Sequence, residues 1–114
     1  MQTPPNDAVL LRIYVGETDR LGSEPLYEVI VLKAREMKLA GATVLRGPMG
    51  FGASSHLHTA KILQLSADLP IVVEIVDEAE KIDTFWAAIA PLMNGGLVTT
   101  QPVRVLEYGA KKAR

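Results

Sequence analysis

Between Gly41 and Pro70 the chain gathers the residue types that bind or react. Gly47, Gly50 and Gly52 lie within six positions, beside Arg46. Thr43, Ser54 and Ser55 supply hydroxyls, His56 and His58 imidazoles, and Asp68 a carboxylate. Glycines let backbone approach a ligand closely, and a nest of successive N–H groups holds an anion. Arg46 could pair with a phosphate on that nest, or with a carboxylate of this chain or a neighbouring one. The glycine run equally reads as a tight strand-to-loop turn. It is not a Walker loop, because no Gly-Lys-Ser/Thr follows, and no helix opens after it as a dinucleotide fingerprint requires.

His56 and His58 stand two apart, so on a strand they share a face and could ligate a metal. Contact with a ligand or partner, or an ordinary loop role, fits the same pair. Ser54, Ser55, His58 and Asp68 are hydrolase residue types. No nucleophile elbow or spaced base orders them, so no catalytic set is assigned.

Composition narrows the classes. The chain has 114 residues, the size of one domain, and 48% are hydrophobic, enough for a core without disulfides. The formal net charge of −1 gives no argument for nucleic acid or an anionic membrane. The absence of cysteine excludes disulfides, zinc–thiolate sites and thiol nucleophiles. Residues 1–7 lack the basic and apolar regions of a secretory signal, and no apolar run reaches spanning length. The expectation is a cytoplasmic protein without membrane insertion. It has a flexible arm over 1–7, one domain over 8–108, and a basic tail over 109–114.

The elements that position these residues follow from periodicity. Ala8 to Val15 alternates as a strand, with Leu11, Ile13 and Val15 on one face and Leu10, Arg12 and Tyr14 on the other. A first helix, capped by Ser23 or Glu24 with Pro25 in its first turn, carries the stripe Leu26, Ile30, Ala34 and Met37 and stops at a left-handed Gly41. Thr43 to Arg46 is the second strand, and Ile62 to Leu65 is a short strand or the lead-in to the next. Pro70 to Val76, β-branched and apolar, is a central strand with Glu74 facing away from the helices. Asp77 and Glu80 make a capping box for a second helix with the stripe Ile82, Phe85, Trp86, Ile89 and Met93, ended near Pro91. Leu97 to Thr100 and Val103 to Tyr108 are strand segments split by Pro102. Strand, helix, strand, strand, helix, strand is the α+β, ferredoxin-like βαββαβ sandwich. Both helices cover one sheet face. Oligomerisation is the natural cover for the other.

Several stretches carry a resemblance. Leu11 to Glu17, Pro25 to Glu28, Gly41 to Gly47, Met49 to Gly52 and Asp68 to Asp77 are similar to the PII-like bacterial family catalogued as domain of unknown function 190. The match runs from Leu10 to about Val105. The resemblance implies a homotrimer and a flexible loop between the second and third strands, equivalent to the PII T-loop. In PII proteins small ligands, chiefly adenine nucleotides, bind in clefts between subunits and reshape that loop, which then touches a transporter or enzyme. Gly50-Phe51-Gly52 resembles the loop base, and Thr43 a threonine near the nucleotide base. Asn94-Gly95-Gly96 stands where PII carries a lysine-containing phosphate loop, and Glu107 and Tyr108 stand where PII carries arginines.

The implied function is non-enzymatic signalling. A small anionic effector, an adenine nucleotide, is expected at Thr43, Arg46, Gly47, Gly50, Phe51, Gly52, His58, Asn94, Gly95 and Gly96 between subunits. The partners are the chain's own copies and a membrane transporter or enzyme reached by the Gly50–Leu65 loop, with no nucleic acid. The alternatives are a metal-binding trimer through His56 and His58, or an interaction protein that needs no ligand.

Overall fold

The computed structural model describes residues 7–52, 57–59 and 68–109. Ser54, Ser55, His56, the Ile62–Leu65 segment, most of the N-terminal arm and most of the basic tail lie outside them.

Strand β1 (Ala8–Gly16) pairs antiparallel with the strand over Pro70–Glu78 along its whole length, from Ala8 opposite Glu78 to Gly16 opposite Pro70. Between them lie a short β2 (Arg20–Leu21) and β3 (Glu24–Pro25), helix α1 (Leu26–Glu36), and β4 (Thr43–Arg46). A two-residue ribbon, β5 (Met49–Gly50) with β6 (His58–Thr59), stands on the loop that follows. The Pro70–Glu78 strand is then β7, helix α2 is Ala79–Ile89, a 3₁₀ turn covers Ala90–Leu92, and β8 is Leu97–Pro102. The sheet order is β4-β7-β1-β8, all antiparallel, so β7 and β1 are central and β4 and β8 are edges. The expected βαββαβ order stands.

Alternation decides the two faces. Leu11, Ile13, Val15, Ile71, Val73 and Ile75 are buried under Leu26, Ile30 and Ala34 of α1 and Ile82, Phe85 and Ile89 of α2. Each large apolar side chain so buried contributes about 1.5–3 kcal/mol. The opposite face carries Leu10, Arg12 and Tyr14 of β1, Val72, Glu74 and Val76 of β7, and by register Thr43 and Leu45 of β4 and Leu97 of β8. No element among the described residues lies over its centre. Leu45 is 48% exposed and Leu97 56%.

Several local expectations are corrected. Neither Ser23 nor Glu24 caps α1: Pro25 is the N-cap, and the first helical amide, of Leu26, donates instead to the carbonyl of Asp19 at 2.8 Å. The left-handed residue after α1 is Lys38, at φ 61°, not Gly41. The amides of Lys38 and Leu39 close back on the carbonyls of Arg35 and Ala34, a Schellman ending three residues early. It buries Leu39, which the periodicity did not single out.

Asp77 belongs to β7, and Glu78 is the N-cap of α2 without a side-chain cap. The Asp77 carboxylate is buried and accepts the amides of Ala40 and Glu78 at 2.9 and 2.7 Å. Trp86 is not core; it is 36% exposed. Ile82, Phe85 and Ile89 fill the stripe, and Trp86 lies about 100° round the helix from Phe85. Residues 103–108 form no strand; Pro102, with no N–H to extend the ladder, ends β8.

Candidate functional site

The expected site residues fall in three places. The first is the loop base. There β4 ends at Arg46, and the Gly47 amide donates to the Pro70 carbonyl at 2.8 Å. A Cβ on Gly47 would stand 2.9 Å from Cγ of Pro70, and one on Gly50 would stand 3.1 Å from the same atom. These glycines therefore admit the proline ring. Neither Gly47, Gly50 nor Gly52 has positive φ, so the left-handed turn of an anion nest is absent from this run. The residues remain candidates by place, not by that geometry.

Arg46 pairs with Glu17 and is 56% exposed at its side chain. Such a pair contributes about 0–1 kcal/mol and leaves the guanidinium other donors for an anion. The loop's return stem is pinned beside it. Glu17 N–H donates to the Leu69 carbonyl and Thr18 N–H to Asp68 Oδ1. Asp68 thus anchors backbone. Beyond the neck, Met49, Phe51 and Leu57 are 55%, 70% and 60% exposed, and β6 sets His58 opposite Gly50.

The second place is Asn94-Gly95-Gly96, before β8. Gly95 and Gly96 have φ of +86° and +88°. A Cβ on Gly96 would stand 2.6 Å from the Tyr14 carbonyl oxygen, so glycine is required there for both reasons. This turn shares a sheet end with the loop base, since Gly16 pairs with Pro70 and Tyr14 with Leu97. It lies at the opposite edge, three strand spacings or about 14 Å across.

The third place is a groove of about 680 Å³ on the uncovered sheet face. Leu10, Glu74 and Val76 are its floor, residues 40–43 one wall, and residues 105–108 the other. Thr43 is the one expected site residue in it. Arg12 Nε donates to Glu74 Oε2 at 2.9 Å, and this hydrogen bond raises the Arg12 pKa above its ordinary value. Tyr108 donates its hydroxyl to the Ala40 carbonyl at 2.6 Å. The groove's lining is mostly apolar and it is open to solvent. Leu10, Val76 and Tyr108 were not foreseen as site residues. The alternation placed Leu10 on this face, but reading 103–108 as strand hid the wall that Tyr108 completes. Among the described residues no three His, Cys, Asp or Glu side chains gather to hold a metal. No helix there is long and apolar enough to cross a membrane.

Sheet order, two helices on one face and a long β4–β7 connection define a PII-like fold. It is similar to CPII from Thiomonas intermedia K12, a nitrogen regulatory PII-like protein. The structure bound to ADP and bicarbonate matches with a TM-score of 0.64 and 14% identity, over 86% of this chain and 87% of that one. Another, bound to ADP, AMP and bicarbonate, matches with a TM-score of 0.65, 14% identity and the same coverage. Within that class, the chain belongs to the family of uncharacterized ACR proteins, domain of unknown function 190, whose profile matches residues 8–105. A UPF0166 protein of Aquifex aeolicus (strain VF5) is 40% identical over 85% of this chain and 91% of its own length. A UPF0166 protein of Methanocaldococcus jannaschii is 32% identical over 80% and 84%.

Proposed function

We propose that the protein is a non-enzymatic PII-like regulator that assembles as a homotrimer and binds an adenine nucleotide in clefts between copies. The observation that carries this is the groove around Thr43, on a sheet face that no helix or strand among the described residues covers. One chain supplies a floor and two walls. A second copy laid on the apolar face supplies the missing side. The loop base and the Asn94–Gly96 turn, at opposite edges of one chain, meet when the β4 edge of one copy lies near the β8 edge of another. The nucleotides bound to the PII-like neighbour CPII support the ligand class.

Ligand at the cleft favours one state of the loop after Gly50 by binding it more tightly. Exposed Met49, Phe51 and Leu57 are the apolar surface that loop offers to a partner, a transporter or an enzyme. Thermal unfolding with ADP, AMP and bicarbonate tests the reading. A ligand at a hundred times its Kd stabilises by about 2.7 kcal/mol and raises Tm by several degrees. An unchanged Tm with all three ligands overturns the nucleotide reading.

A further inference from the structure

We propose that residues 103–108, which end as one wall of the Thr43 groove, are a strap, that the Tyr108 hydroxyl is its latch, and that unlatching widens the groove for the ligand. The inference rests on the groove being the ligand site, and it adds how that site opens.

Strand β8 ends at Pro102. Among the described residues two hydrogen bonds then hold the segment. The Val103 amide donates to the Ala8 carbonyl at 3.0 Å, and Tyr108 Oη donates to the Ala40 carbonyl at 2.6 Å. Val103 and Tyr108 are thus the two ends of a span with no backbone ladder between them. Local opening is easiest where few hydrogen bonds and little burial oppose it. Leu106 lines the groove and is 80% exposed, so an occupant would cover it.

The opposite wall is held differently. The Ala40 amide donates to the buried Asp77 carboxylate, which also accepts the Glu78 amide. Ala40 is therefore fixed to the end of β7 through its N–H while its carbonyl receives the latch. Breaking the Tyr108 bond frees the strap and leaves that wall in place. Val103, still bonded to β1, is the hinge.

Tyr108→Phe removes the hydroxyl and keeps the ring, so packing is retained. Limited trypsin digestion of the full, ligand-free chain reads the latch at Arg104, inside the strap. Cleavage after Arg104 is expected to run about fivefold faster in Tyr108→Phe, the population change one lost hydrogen bond produces, with amide exchange in β1 and β7 unchanged. Equal cleavage in the two proteins, or faster exchange that spreads through β1 and β7, overturns the strap. ADP association by stopped flow reads the gating. A rate constant raised by a similar factor supports it, and an unchanged rate beside faster cleavage overturns it. Failure of ADP to bind either protein overturns the groove as a nucleotide site, and with it the gating, while cleavage still decides the latch.

Discussion

A single methyl group probes the loop base and the turn before β8. An alanine Cβ at Gly47 would stand 2.9 Å from a ring carbon of Pro70, whose own position is set by pairing with Gly16. Overpacking of this kind costs about 1–3 kcal/mol. Gly96→Ala meets both a carbonyl oxygen at 2.6 Å and a φ of +88°, so its loss is expected to exceed that of Gly47→Ala. Gly52→Ala has open space and no positive φ, and is expected to fall within about 0.5 kcal/mol of the parent. Urea unfolding of the three variants checks the order. Gly52→Ala losing as much as Gly47→Ala would mean that the run is constrained by backbone shape, as a nest requires, and not by the proline ring. The glycines were legible in the sequence as close approaches. What they approach was not, because Pro70 is 23 positions from Gly47 and only the β4–β7 pairing brings it near.

Elements were more legible than their ends. Stripes at helical spacing and alternation along β1 and β7 are set by which side chains leave water, and burial enforces both. Caps are decided by contacts distant in sequence. Asp77 followed by Glu80 has the spacing of a capping box. The β1–β7 ladder, running to Glu78, draws Asp77 into the strand and turns its carboxylate toward Ala40. The two readings predict different variants. Asp77→Ala leaves the amides of Ala40 and Glu78 without their acceptor and is expected to cost about 3 kcal/mol. Glu80→Ala is expected to change stability by less than about 0.5 kcal/mol, since Glu80 is exposed and α2 has no side-chain cap. Chemical denaturation of both decides. Comparable losses would restore the box. The strand expected at 103–108 fails for the same reason: alternation of Val103 and Val105 is real, and both are half-buried, but β1 begins at Ala8, which accepts the Val103 amide, and among the described residues no strand continues the ladder beyond it.

For the whole molecule, the sheet face away from the helices decides the most. In one chain it presents Leu10, Tyr14, Leu45, Val72, Val76 and Leu97 around the Arg12–Glu74 pair. Apolar side chains on the face of a small domain's central sheet are a surface for association. The ion pair at its middle penalises any partner that leaves either charge unmatched. The sequence revealed this face through alternation alone. It could not reveal the groove, whose second wall comes from a segment that alternates like a strand but forms none. Val72 is the test position, because its neighbours across both ladders are Tyr14 and Leu45. A lysine there keeps its ammonium in water on a free chain, so the fold is expected to persist with unchanged far-ultraviolet circular dichroism. In an assembly through this face the same ammonium is buried without a partner, and association fails. The parent is therefore expected to sediment near three times the 12.4 kDa chain mass and Val72→Lys near one. Adenine-nucleotide binding is expected to disappear with the assembly if, as proposed, two copies form the cleft. A parent that sediments as a monomer removes the face from the site. A Val72→Lys monomer that still binds ADP with unchanged Kd leaves the groove of one chain as the whole pocket.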